Sequence, residues 1–227
     1  MSRPTGYFGP GRSKPGSATI DVMAQDVPPH SAEIPPGYPS EYERELRLSD
    51  GRRALMRPIL PGDSVELGDA IRTADPDTLR RRFLGGPPHL TPELLAHLCT
   101  VDYLGRFALV AVDPLTGRGI AVARYEAAEE EDVADVAVAV DPAWRGIGLA
   151  TALVEKLAEI ALNRGIHTFS AYYLAGNRPV AALLGHLGDG GPQIIRAGFA
   201  EAAVALDSVG VEAAIHGPHH GDDLPTQ

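Results

Sequence analysis

Between a proline- and glycine-rich beginning and a polar end, the chain alternates short apolar stretches with stretches of helical period. Ala54–Pro58 (ALMRP) predicts a short first strand. Gly62–Thr73 predicts a helix, and Pro76–Phe83, where Leu79 and Phe83 are four apart, predicts another. Thr91-Pro92-Glu93 has the form of a helix start, with a hydroxyl to accept an orphan amide and proline at the first helical position. Phe107–Val112 (FALVAV) reads as a buried strand, Pro114–Gly117 as a turn, and Gly119–Tyr125 as the next strand. The acidic run Glu129–Asp132 reads as a solvated hairpin loop. Val133–Val140 (VADVAVAV) predicts a strand whose one charge is Asp135. Leu149, Leu153, Leu157 and Ile160 then recur at helical spacing, with Glu155, Lys156 and Glu159 expected on the opposite, solvated face. Arg164-Gly165 supplies the helix stop, because glycine tolerates the left-handed C′ position and arginine suits the negative end of the dipole. Thr168–Leu174 predicts a further strand and Pro179–Leu187 a further helix.

Residues 1–44 have no apolar periodicity and cannot bury enough surface to offset their ordering entropy, so they are expected to form a disordered tail. Residues 45–206 form the one folded domain, and 207–227 a polar, flexible tail in which His216, His219 and His220 are solvated. No apolar run approaches the roughly 18–20 residues of a membrane helix, and the first residues lack the apolar stretch of a secretory signal. The expected setting is cytoplasmic, without a membrane partner. A net charge of −10 argues against nucleic acid as a partner. The single cysteine, Cys99, allows no internal disulfide and no multi-cysteine zinc site. It lies among Leu94, Leu95 and Leu98 and reads as a buried structural thiol; no metal is expected.

The chemistry concentrates where the strand Val133–Val140 meets the helix that starts near Leu149. The turn between them is Trp144-Arg145-Gly146-Ile147-Gly148-Leu149-Ala150-Thr151. Its glycines remove Cβ atoms, so that a ligand can approach the backbone, and the first amides of the helix have no internal acceptor. With the positive end of the helix dipole they make an anion site suited to a pyrophosphate. A P-loop is excluded because GxxxxGK[ST] does not occur. A dinucleotide fold expects an acid near the end of the next strand, and Tyr172-Tyr173-Leu174 offers none.

Arg145-x-x-Gly148-x-Ala150 resembles the Q/R-x-x-G-x-G/A loop of GNAT acetyltransferases, and VAVDPAWRGIGLATALV resembles motif A of that superfamily. Asn177 matches the asparagine that contacts the cofactor there. Upstream, Met56-Arg57-Pro58, Asp77-x-Leu79-x-x-Arg82-Phe83-Leu84-Gly85, Leu90-Thr91-Pro92-x-Leu94, Val101-Asp102-Tyr103 and Ala123-Arg124-Tyr125 are similar to the catalytic domain of bacterial Pat-type protein lysine acetyltransferases. The resemblance implies an α/β GNAT fold, a mixed central sheet with helices on both faces and a splayed acetyl-CoA cleft. It implies acetyl-CoA as co-substrate, held by Val138, Ala139, Val140, Arg145, Gly146, Ile147, Gly148, Leu149, Ala150, Thr151 and Asn177. Three departures stand out. Asp135 occupies the position of the family's catalytic Glu, Arg145 replaces Gln, and no cyclic-nucleotide or ligase domain is expected within these 227 residues.

By the same resemblance Asp135 is the base beside the acceptor amine, and the Val138 N–H stabilises charge on the thioester oxygen. A lysine amine has a pKa of about 10.4, so freeing it near pH 7 costs roughly 4–5 kcal/mol, and a positioned carboxylate contributes on the order of 10²–10⁴ in rate. The competing reading makes Asp135 a charge that keeps a strand edge from aggregating. Leu184 stands where relatives carry a tyrosine acid, and His186 near it reads as a surface residue. Trp144, Tyr103, Tyr125, Tyr172 and Tyr173 read as packing residues. Arg145, Arg178 and Arg164 are the candidates to meet phosphates. Three functions remain open: acetylation of protein lysines, with acyl-CoA synthetases as family-type substrates; acetylation of a small amine; and acetyl-CoA binding without turnover. The sequence leaves the oligomeric state open.

Overall fold

A computed structural model describes residues 34–84, 88–128, 132–188 and 193–206. The expected loop at 129–131, Gly85 and most of both expected tails therefore lie outside the described residues. The order is β1 (Arg44–Arg47), β2 (Arg53–Pro58), α1 (Ser64–Thr73), α2 (Pro76–Phe83), α3 (Pro92–Cys99), β3 (Arg106–Val112), β4 (Gly119–Ala127), β5 (Val133–Val140), α4 (Leu149–Leu162), β6 (Thr168–Leu174), α5 (Arg178–Gly185), β7 (Ile194–Arg196) and β8 (Phe199–Ala205). They build one mixed α/β sheet in the order β1-β2-β3-β4-β5-β6-β8-β7. Only the β5–β6 pairing is parallel.

The helix starts follow their capping residues. Asp75 accepts from the Thr78 amide at 2.9 Å and Thr91 from the Leu94 amide at 3.2 Å, and proline follows each cap. Gly165 has φ +78° just beyond α4. Strands β1, β7 and β8 are not evident from apolar alternation. β1 reads RELR and is mostly exposed, and β7–β8 turn through Ala197 and Gly198, both at positive φ, between the paired Arg196 and Phe199.

Helix α4 covers one face of the sheet. Leu153, Leu157 and Ile160 are fully buried against it, with Phe107, Tyr125 and Phe169 in the same core. Complete burial of each such side chain stabilises by roughly 1.5–3 kcal/mol. Tyr38 and Tyr42, inside the stretch expected to be a tail, extend this core, their rings 5.8 Å from Tyr103 and Phe107 respectively. The opposite face carries a smaller core of Ile59, Cys99 and Ala108 with Leu67 and Leu98. Glu155 and Lys156, expected on a solvated face of α4, are buried. The reason is tertiary. The segment carrying Leu183, Leu184 and Leu187 joins the same core, bringing His186 close to Glu155, and Lys156 pairs with Glu159 one turn on. Burial raises the Glu155 carboxyl above its usual range.

The feature that shapes the molecule lies between β5 and β6. They pair only from Val133↔Thr168 to Asp135↔Ser170, although β5 runs on to Val140 and β6 to Leu174. Past Asp135 the strands splay.

Candidate active site

The splay opens a cleft of about 580 Å³, walled by β5, the turn into α4, β6, α5 and the end of α2. The turn is held from outside. Asp141 accepts from the Ala143 amide at 2.8 Å, and the Arg52 guanidinium lies 4.3 Å over the Trp144 ring while donating to the Ala143 carbonyl at 3.0 Å. Trp144 is thus a packing anchor. Gly146 and Gly148 sit at φ +73° and +87°, which a side chain would strain, and a Cβ on either would meet nothing within 4 Å. The space in front of them is open. The first amide after the turn to find a helical acceptor is Ala152, on Gly148 at 3.0 Å. Those of Leu149, Ala150 and Thr151 have no protein acceptor among the described residues, and together with the positive end of the dipole they favour an anion at this end of α4.

Asp135, Val138, Ala139, Val140, Arg145, Gly146, Gly148, Leu149, Ala150, Thr151 and Asn177 all line this cleft. Ile147 does not. Flanked by two left-handed glycines, its side chain packs into the core and its carbonyl accepts from the Ser49 amide at 3.3 Å. Asn177 is buried at the start of α5 and makes no capping bond with its side chain, which leaves the amide for the cleft. Backbone alternation fixes what β5 offers. The Ala128 amide donates to Val133 and the Asp141 amide to Ile120, so the odd-numbered residues hydrogen-bond toward β4. The amides of Val138 and Val140 therefore point across the splay, while that of Val136 closes the last rung at Ser170. Asp135, exposed at its apex, faces the side of the sheet covered by α2.

The arginines separate. Arg145 lines the cleft, but its guanidinium bridges the Val140 carbonyl at 3.0 Å and the Thr78 hydroxyl at 2.6 Å, tying the turn to α2. Arg164 sits past the far end of the 14-residue α4, about 20 Å from the turn, donating to the Tyr103 carbonyl at 2.9 Å beneath Phe107. It holds the core, far from the glycine turn. Arg178 does not line the cleft. Tyr103 and Tyr125 are buried, donating to the carbonyls of Ile59 at 2.8 Å and Leu104 at 2.7 Å, and the Tyr173 hydroxyl accepts from Gln193 at 2.6 Å. Tyr172 differs from expectation: it is 57% exposed on the cleft wall, its ring stacked on Phe199. His186 also reaches the cleft. Thr78, Arg81, Arg82 and Leu84 complete the α2 side; the basic run Arg80–Arg82 was the available signal for them.

Cys99 is buried outside the cleft, and burial pushes its thiol up to about 12. It is no nucleophile at neutral pH. Among the described residues no cluster of His, Cys, Asp or Glu could hold a metal ion, and no helix is long and apolar enough to cross a membrane.

The comparisons agree with this geometry. The model of the Acetyltransferase (GNAT) family matches residues 78–188. Acetyltransferase PA5475 of Pseudomonas aeruginosa is 32% identical over 143 residues, 62% of this chain and 77% of that protein. The crystal structure of the GNAT domain of S. lividans PAT superposes with a TM-score of 0.66 at 28% identity, over 74% of this chain and 99% of that one. The cAMP-binding acyltransferase from Mycobacterium smegmatis gives 0.53 at 25% identity, over 74% of this chain; the chain spans 48% of that longer protein. YncA from Salmonella typhimurium, solved with its cofactor acetyl-CoA, shares the fold at 19% identity and a TM-score of 0.52. With its splayed strands, its glycine turn of free amides and these relatives, the chain belongs to the GNAT family of acetyltransferases and uses acetyl-CoA.

Proposed function

We propose that this protein acetylates lysine side chains of other proteins in the cytoplasm, with Asp135 as the base. The observation that carries the reading is the position of Asp135. It is the last β5 residue paired to β6, its carboxylate makes no hydrogen bond or ion pair among the described residues, and it opens onto the cleft. The lysine acceptor is supported by the motifs similar to Pat-type enzymes and by the near-complete overlap with the GNAT domain of S. lividans PAT. Acyl-CoA synthetases are the substrate class this likeness suggests.

The residues present fit the co-substrate. Amides of the turn and of Leu149–Thr151 bind its diphosphate, Asn177 and the free amides of β5 hold its polar arm, and it supplies an acetyl thioester at the apex. Asp135 takes a proton from the incoming ammonium, directly or through one water. The Val138 N–H donates to the oxygen that gains negative charge. Tyr172 and His186 line the same wall, and the leaving thiolate needs no strong acid.

The test is thiol release from acetyl-CoA with a lysine-bearing protein, beside free amines. Turnover confined to protein lysines supports the reading. Turnover confined to small amines moves the acceptor class, and tight acetyl-CoA binding with no turnover on any amine leaves a binding module.

A further inference from the structure

Behind α2 lies a second cavity, of about 610 Å³, between α1, α2 and strands β3 to β5. Thr78, Arg82, Ala139 and Val140 line both spaces, so α2 is a partition one helix thick. The walls are mostly apolar, with Ile71, Leu79, Leu98, Val110 and Val122 prominent. The carboxylates on them are committed: Asp63 holds Arg57 at 2.6 and 2.8 Å, and Glu66 accepts from the Gly119 amide.

Four arginines line it: Arg57 is held by Asp63, Arg118 is exposed at the rim, and the guanidiniums of Arg82 and Arg124 are drawn in from solvent without an ion pair. Arg124 is 7% exposed; its Nη1 donates to the Leu98 carbonyl at 3.3 Å, while Nη2 is buried without a partner. Arg82 is governed by burial and by the charge of Arg124, with no hydrogen bond among the influences on it, and is pushed down to about 10. Arg124 is lowered first by burial, with Arg106 adding to the effect and Glu126 opposing it. Glu126 forms an ion pair with neither guanidinium, its oxygens facing Arg106 at 3.6 Å and His97 at 3.7 Å. Two like charges confined against apolar walls with an unused donor form an anion site.

Its position gives it a purpose. Arg124 and Glu126 point to the same face of β4, and Glu126 is the direct cross-strand partner of Asp135. Arg124 thus stands diagonal to Asp135, about 7–8 Å away at the backbone. We propose that Arg82 and Arg124 form a subsite for a carboxylate carried by the amine acceptor, either an acidic residue next to the target lysine or the carboxyl group of a free amino acid. Carboxylate fits better than phosphate: the wall hydroxyls of Thr73 and Thr78 already donate, to Asp69 and Asp75, leaving nothing for a third oxygen. The acceptor role rests on the acetyltransferase reading, whereas carboxylate binding does not.

Two measurements on the full chain test it. In thermal unfolding, hexanoate raises Tm while hexanamide and inorganic phosphate do not, and Arg82→Gln, a change at the half-exposed end of α2, removes the effect. Equal shifts with hexanamide, or a hexanoate shift that survives Arg82→Gln, refute the site. In thiol release, kcat/KM is compared for a lysine peptide with Glu or Gln beside the lysine, and for lysine against lysinamide. A preference of tenfold or more in the first pair identifies an acidic neighbour, and in the second a free amino acid. Arg82→Lys retains part of it and Arg82→Gln abolishes it. Equal kcat/KM in both pairs overturns the acceptor role. Absence of turnover with every amine, with hexanoate protection intact, overturns the acceptor role and the proposed function but not the carboxylate site.

Discussion

Asp135 on β5 and Glu126 on β4 occupy one rung of the sheet, two carboxylates directly opposite each other with opposite surroundings. Glu126 faces Arg106 and His97, whereas Asp135 has no such partner among the described residues. Asp135→Asn is therefore expected to lower kcat by about 10²–10⁴, the range a positioned base contributes, with little change in acetyl-CoA affinity. Asp135→Glu, one methylene longer, holds or raises turnover. Glu126→Gln costs far less. Steady-state thiol release with parallel calorimetry of acetyl-CoA binding checks all three; a fully active Asp135→Asn refutes the assignment.

Gly148 caps α4 at φ +87° with open space before it. Gly148→Val adds left-handed strain of about 1–2 kcal/mol and puts methyl groups beside the free amides. The expected outcome is a lower Tm and a loss of acetyl-CoA affinity of more than tenfold. Titration calorimetry on the folded variant separates the two effects.

Burial raises the Glu155 carboxyl. A carboxyl whose folded value lies above its unfolded one, about 4.3, contributes fully below that pH and loses stability as pH rises through the folded value. Glu155→Gln removes this loss. Its Tm is expected to match the parent near pH 4 and to exceed it at pH 7, in a series of thermal melts from pH 4 to 8.

Arg145 is the clasp between the turn and α2. Arg145→Ala removes two hydrogen bonds of about 0.5–1.5 kcal/mol each and frees the helix that separates the two cavities. Amide hydrogen exchange is expected to rise across Pro76–Phe83, more than in β5 or α4. Unchanged exchange in α2 refutes the clasp.

Much of this is legible in the amino-acid sequence. The run VADVAVAV, the turn with Gly146 and Gly148, and the leucines of α4 each carry a local signal, and the site assembles on consecutive elements. The misreadings are tertiary. Helical spacing put Glu155 and Lys156 outside, because it cannot see the segment that covers α4, which carries Leu183, Leu184 and Leu187. Arg164 read as a phosphate ligand until the length of α4 carried it to the opposite end. Ile147 sits within the motif yet faces inward, since the φ angles of two glycines set its direction. β1 and β7 have no apolar alternation, and Arg82 and Arg124, 42 positions apart, line one cavity, which no periodicity reveals.

The strand β8, last of the described elements, pairs with β6 along its whole length, from Thr168↔Ala205 to Leu174↔Phe199, and lies inside the sheet while β7 takes the edge. β6 otherwise has three rungs to β5. A ribosome releases the antiparallel meander β3–β5 first, with contacts local enough to form at once, whereas the second wall of the cleft gains its lasting neighbour only when residue 205 emerges. Competence to bind thus waits for Phe199–Ala205, and a nascent chain halted before Phe199 carries the glycine turn without the strand that backs the facing wall.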